Sequence, residues 1–442
     1  MKRYYCFSNL LCLLLASSAS VSLANPEIPG AAQANPIAIV GATIHPISGP
    51  AIEKGTIVFS DGKIADLGTR VEIPAGAERI DGSGKHVYPA LFDAYSSLGL
   101  VEVNAVRASV DTRETGDVNP NVRAHVAVNP DSEVIPVTRS NGVLLAHTAP
   151  SGGFIAGKSA VMQLDGWTWE DMTLRPEAGL IVTWPRMSPV SDWYVETSAR
   201  EQLQQRDETL RKLDQTFELA RAYRQAREAS QSQQPRDLRW EAMLPVLDGR
   251  QPMIVAADEA QQIQAAVAFA QRQSVKLVIY GGYDAEFCAD LLKKHDVPVI
   301  IAGVYRLPEN RSDDYDAPYT LAARLRKAGV RFCISCSERF GASNIRNLPY
   351  HAATAVAYGL PADDALRGIT LSPAEILGVA DRVGSLESGK DATLIVTDGN
   401  PLETATQVEA AFVQGRRVEL NDRHKRLWKK YEEKYRRQTA DE

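Results

Sequence analysis

Residues 252–303 read PMIVAADEAQQIQAAVAFAQRQSVKLVIYGGYDAEFCADLLKKHDVPVIIAG. Three short apolar runs, MIVAA, KLVIY and VPVII, are separated by DEAQQIQAAVAFAQRQ and AEFCADLLKKHD. The apolar residues of the two separators recur at three- and four-residue spacing and so line one face of a helix. Strand, helix, strand is the unit of a parallel sheet, because a crossover is needed to return the chain to the starting edge. The rhythm continues outward. GVLLAHTAP (142–150) and AGLIVTWP (178–185) come before it, and APYTLAARLRKAG (317–329) and VRFCISC (330–336) come after it. Further upstream, YPALFDAYSSL (88–98) is an apolar run that ends in Asp93. The number of repeats predicts an α/β fold, a (β/α)8 TIM-like barrel rather than an open sheet.

Both flanks are rich in short β runs. IAIVGATIHPI (37–47), GTIVFSDGKIADLG (55–68) and ERIDGSGKHVYPA (78–90) are joined by turn residues such as Asp61-Gly62. A matching set returns in GSLESGKDATLIVTDGN (384–400) and VEAAFVQGRRVEL (408–420). Residues 197–232 read as a long charged helix or helical pair inserted in the barrel sequence. Residues 421–442 read as a charged amphipathic helix with Leu427, Trp428, Tyr431 and Tyr435 as docking groups. A run of charge is most often a solvated face.

The chain has 442 residues, 44% apolar and 24% charged, which allows one large core or two domains. A net charge of −6 gives no electrostatic reason to expect nucleic acid as a partner. Residues 1–24 have a basic start (Lys2, Arg3), an apolar stretch from Leu10 to Ala16, and small residues before Ala24. That is the layout of a signal peptide, followed by a linker over 25–36. The expectation is an exported, periplasmic protein with no membrane span after cleavage. Cys288, Cys333 and Cys336 would then remain, an odd number that leaves at least one thiol unpaired. The CISC spacing suits buried strand cysteines, since residues three apart on a strand face opposite ways.

Two polar stretches are candidates for chemistry. TAPSGGFIAGKSAVMQLDGW (148–167) reads as a Gly-rich loop after a strand, able to present backbone N–H groups and Lys158 to an anion, or else shaped only for packing. Its spacing does not match a phosphate-binding loop. SCSERFGASNIRNLPY (335–350) follows the last strand and offers Ser337, Glu338, Asn344 and Asn347 as lining groups. A third stretch, residues 108–133, is long, polar and rich in Pro and Asn, and reads as a lid. Of the seven histidines, His147 alone stands at the exit of a strand, where a lone His is most often structural.

YPALFDAYSSLGL (88–100), ITLSPAEILGV (369–379) and GSLESGKDATLIV (384–396) together resemble the amidohydrolase superfamily, most closely its imidazolonepropionase-like branch. The resemblance runs from about residue 37 to about residue 420. It implies a barrel over 89–384 and a small composite β-sandwich of 37–88 with 385–420. It also implies descent from hydrolases of non-peptide C–N bonds in amides, lactams or cyclic imides. Such enzymes use a divalent metal, zinc by default, which lowers the pKa of bound water from about 15.7 to about 7. The family pattern asks for histidines and an aspartate after strands one, five, six and eight. Here those places hold Tyr95 and Ser97, Ala256 or Ala257, Tyr280 or Gly281, and Ser337. No metal ligand set is expected, and no cofactor.

Without metal, a covalent route would need an activated nucleophile and a base. The candidate catalytic residues are Ser97, His147, Lys158 and Glu338, in a pocket formed with Asp93, Tyr95, Ser337, Asn344 and Asn347. Two functions follow. One is an exported amidohydrolase-family protein acting on a small amide-like substrate with a degraded metal site. The other is a catalytically inactive relative that binds a small ligand or a protein partner. Homo-oligomers are a further expectation, since related barrels commonly pair.

Overall fold

The computed structural model describes residues 28–191, 195–230, 235–337 and 341–440. The expected signal segment, residues 1–24, and Glu338 lie outside the described residues.

The chain begins with β1 (Ile37–Ile44), β2 (Ile52–Ser60), β3 (Lys63–Gly68), β4 (Glu78–Asp81) and β5 (His86–Pro89). Eight strands follow around the central core: β6 (Leu91–Ser96), β7 (Val143–Thr148), β8 (Ile155–Gln163), β9 (Thr173–Thr183), β10 (Met253–Ala257), β11 (Leu277–Gly281), β12 (Val299–Ile301) and β13 (Phe332–Ile334). The chain then returns through β14 (Leu394–Thr397), β15 (Val408–Val413) and β16 (Arg416–Arg417).

The two chain ends share one sheet, in the order β16-β15-β14-β5-β1-β2-β3, with β4 also paired to β1. β14 enters antiparallel to β5, with Leu394 opposite Pro89 and Thr397 opposite His86. Phe59 on β2 meets Phe412 on β15 edge-on at 5.0 Å, although three strands separate them in the sheet. The sheet therefore curls over its own core of Ile39, Ile44, Ile57 and Leu394.

The second sheet runs from β6 to β13 in chain order. β9 to β13 are all parallel, as alternating strands and helices require. Its two ends meet at a seam where the Cys336 N–H donates to Asp93 Oδ1 at 2.7 Å. The result is a nearly closed, TIM-like α/β barrel. Between β9 and β10 the long helix is Ala199–Ser230, and it is not a free insertion. Leu213, Phe217 and Ala220 are buried, and Phe217 packs edge-on against Phe269 of helix Ala260–Gln273 at 5.2 Å.

The Gly-rich stretch departs from the sequence expectation. Ile155–Gln163 is not a loop but a nine-residue strand, buried throughout and antiparallel to both neighbours. Gly157 has φ +137, and a Cβ there would lie 2.8–2.9 Å from Val122. Its glycine thus admits the passing segment 117–123, whose Val122 carbonyl accepts from Lys158 N at 2.8 Å. The polar stretch 108–133 accordingly runs partly alongside the first residues of β8, which extend past the paired part of β7, through bridges Val118–Ile155 and Arg123–Lys158.

Candidate functional site

Asp93 and Tyr95 are two residues apart on β6 and so share a face. That face looks into the barrel, because the Tyr95 ring stacks on Tyr280 at the end of β11, with centroids 3.6 Å apart and planes 11° apart. His147, at the end of β7, meets the Tyr95 ring edge-on at 5.7 Å. The Tyr280 hydroxyl is hydrogen-bonded to Ser337 Oγ beyond β13. Gly281 follows with φ +103, and a Cβ there would come within 2.7 Å of Asp258 Oδ1. The C-terminal mouth of the barrel, where such folds carry their chemistry, is therefore capped by an aromatic pair tied to a serine.

Burial pushes the Tyr280 phenol up to about 12, and pushes the Tyr95 phenol further still. Both remain neutral. Two neutral phenols, a serine hydroxyl and the side chains of Ala256 and Ala257 do not fit a divalent cation, which takes imidazole, carboxylate or thiolate. Among the described residues no group of three His, Cys, Asp or Glu side chains is placed to hold a metal ion.

The seam carboxylate is unusual. Asp93 is fully buried, and its Oδ2 has no hydrogen-bond partner among the described residues. Burial raises its carboxyl to about 7, against the Cys336 and Tyr95 backbone N–H bonds that favour the anion. His147 is also fully buried. Its Nδ1–H donates to the Ala94 carbonyl at 2.7 Å, so the lone pair lies on Nε2, which has no partner among the described residues. Burial lowers this ring to about 4.

Among the described residues, the candidate catalytic Ser97, His147 and Lys158 do not assemble. With Nδ1 on Ala94 and Nε2 unpartnered, His147 is not hydrogen-bonded to Ser97. Lys158 is buried on β8 and paired with Glu177 at 2.5 Å, because the stretch that carries it is a strand and not a mouth loop. Asn344 is a brace, its carbonyl accepting from the Cys336 thiol at 3.0 Å. Asn347 stands immediately before helix Leu348–Ala357. Asp93, Tyr95, His147 and Ser337 are the residues that the fold does bring to the barrel interior and its mouth.

A cysteine–histidine pair went unnoticed in the sequence, with Cys336 Sγ 3.2 Å from His351 Nε2. It is not arranged as nucleophile and base. The Val304 N–H donates to His351 Nδ1 at 3.1 Å, which leaves the proton of the neutral ring on Nε2, facing sulfur. Burial lowers His351 to about 4. The cysteines 288, 333 and 336 are all buried and unbridged, in agreement with packing roles.

The sequence reading also missed a charged clamp at the same mouth. Arg306, beyond β12, donates to both oxygens of Asp258 at 2.9 and 3.1 Å and also pairs with Glu309. Its guanidinium lies over the Tyr283 ring at 5.5 Å. Beside the clamp is a cavity of about 420 Å³ lined by Arg186, Asp258, Glu259, Tyr283, Asp284 and Glu309. Burial raises Asp284 and Glu309 above the usual carboxylate range, and Asp258 adds to both shifts. A larger cavity, about 740 Å³, lies at the opposite ends of the strands beside Arg250, Lys276 and His295, away from the aromatic cap. The one available signal for the clamp was Asp258, the first charged residue after a strand.

Comparison with known proteins gives a consistent picture. A family profile described as "Amidohydrolase family" matches residues 284–418. Amidohydrolase tasK of Hapsidospora irregularis is 23% identical over 399 residues, 82% of this chain and 39% of that protein. An imidazolonepropionase of Mesorhizobium japonicum is 25% identical over 180 residues, 40% of each chain. This chain thus spans about two fifths of the length of either curated relative. An amidohydrolase structure from Thermotoga maritima MSB8 superposes with TM-score 0.76 at 26% identity, covering 87% of this chain and 99% of that one.

Proposed function

We propose that this chain, which belongs to the amidohydrolase superfamily, holds a small amide-like ligand at its barrel mouth without a catalytic divalent metal. Family resemblance supports a hydrolase, and descent from enzymes of non-peptide C–N bonds supports amides, lactams or cyclic imides as the chemical class. One observation carries the metal-independent part. Tyr95 and Tyr280 stack at 3.6 Å over the strand ends that would present metal ligands, and Ser337 is tied to the same pair. Water left at a pKa near 15.7 is a poor nucleophile, and general-base help recovers only about 10² to 10⁴-fold. The Arg306–Asp258 clamp and its cavity offer both charges to a polar ligand. An inactive, ligand-binding descendant is therefore the reading favoured over an efficient hydrolase.

The test is elemental analysis of protein purified without chelator, combined with a panel of amide, lactam and cyclic-imide substrates. The expected result is metal well below one equivalent per chain and no turnover that a chelator abolishes. Stoichiometric zinc, with activity lost to a chelator and restored by zinc, would overturn the proposal. Export is part of the same proposal. Its expected sign is an intact mass lacking residues 1–24 in protein recovered from the periplasm.

A further inference from the structure

We infer that the C-terminal helix, Arg423–Ala440, is a docking surface for the face of an anionic phospholipid bilayer. Among the described residues the helix is rooted only at its start. Asp422 Oδ1 accepts from His424 N and Lys425 N at 2.7 and 3.0 Å, and Arg426 pairs with Glu133 at 3.2 Å. Beyond that turn it leaves the body, and every described residue from Leu427 to Thr439 except Glu433 is exposed. Leu427 is 42% exposed, Trp428 62%, Tyr431 49% and Tyr435 60%.

At about 100° per residue these four side chains fall within one arc of about 100°. The same side of the helix otherwise carries the uncharged Gln438 and Thr439, with His424 at the root. The remaining arc holds eight lysines and arginines against two glutamates, in a chain whose net charge is −6. Lys434 flanks the aromatic stripe, its ammonium 5.5 Å from the Tyr435 ring and 6.0 Å from the Tyr431 ring.

The chemistry selects the occupant. Trp and Tyr favour the bilayer interface, and lysines beside them keep their charge at the headgroups while their stems lie along apolar surface. A helix of this make-up lies in the interface plane and does not cross it. No described helix is long and apolar enough to span a membrane. Nucleic acid fits less well, because a phosphate backbone would pair with the exposed cations alone and leave the Leu427, Trp428, Tyr431 and Tyr435 stripe uncovered. A second copy fits less well too. Four half-exposed side chains fall short of the roughly 1,200 Å² of a stable interface, and two cationic helices repel.

Co-sedimentation of the whole chain with phosphatidylcholine vesicles, with and without 30–40% phosphatidylglycerol, tests the inference. Using whole chains means that any contribution of residues 1–24 is common to all variants. The expected result is binding that requires the anionic lipid and weakens with salt. Both K429Q/K430Q/K434Q and W428S/Y431S/Y435S should weaken it about tenfold or more. Because these side chains are exposed, both variants should melt as the parent does, which separates lost docking from lost folding. Variants that bind like the parent, or parent binding that ignores lipid charge, would overturn the inference. So would a parent that dimerises through this helix, or one that prefers a single-stranded oligonucleotide to the vesicles.

Discussion

Asp93→Asn stabilises the protein at pH 8 by about 1–3 kcal/mol and flattens its stability between pH 4 and 7. The carboxyl titrates near 7 in the fold, against 3.8 for an ordinary aspartate. Because the folded value is the higher one, the native state binds the extra proton. Its contribution to stability is complete below pH 3.8 and is lost as pH rises through 7. A shift of this size corresponds to about 4 kcal/mol at most. An asparagine keeps an acceptor for the Cys336 N–H but places an amide donor where Oδ2 had no partner, which gives part of the gain back.

Three histidines work in the opposite sense. Half-buried His45, with His86 beside it, and the fully buried His147 and His351 are each lowered to about 4, chiefly by burial. Their stabilising contribution is complete above pH 6.5 and is lost as pH falls through 4. It is common to both proteins and cancels in the comparison. Melting temperatures of parent and variant at pH 5 and pH 8 give the answer, with the variant ahead only at pH 8. Parallel curves would mean that Asp93 does not carry the buried charge. Asp93→Ala should instead lose about 2–4 kcal/mol at pH 5, since it empties the seam and strands an N–H, and less than that at pH 8, where it also removes the buried charge.

The second large effect lies on β8. Glu177→Ala leaves Lys158, whose side chain is only 4% exposed, as a buried cation without its partner. Removing one member of a buried pair costs about 3–5 kcal/mol, and partial exposure of Glu177 reduces this to about 2–3. The residue has φ +56, so alanine inherits the same backbone strain as glutamate and adds none. Lys158→Met in the Glu177→Ala background should recover most of the loss, because a methionine stem fills the site without a charge. Urea midpoints of the two single variants and the double variant measure the coupling. If Lys158→Met alone were as damaging as Glu177→Ala, the pair would not be the source. Neither change should alter ligand binding at the mouth, since Lys158 is not among the residues gathered there.

The sequence by itself determined the barrel and the residue types at its mouth. Alternating apolar runs and amphipathic helices gave the strand order, and the family resemblance put Tyr95 and Ser97, Ala256 or Ala257, Tyr280 or Gly281, and Ser337 at strand ends without coordinates. The buried state of Cys333 and Cys336 was legible for a similar local reason, an apolar run too short for anything but a strand. Tertiary structure alone decided the rest. Gly157 looks like a loop residue until Val122, 35 positions away, is seen to need its space, and only then does 155–163 become a reversed strand that hides Lys158. The tautomers of His147 and His351 depend on carbonyl and amide groups supplied by other elements. Arg306 and Asp258 stand 48 residues apart and meet only because β10 and β12 end on the same side of the sheet. Periodicity is a local property of the chain, whereas charge pairing and desolvation depend on which distant groups the fold has made neighbours.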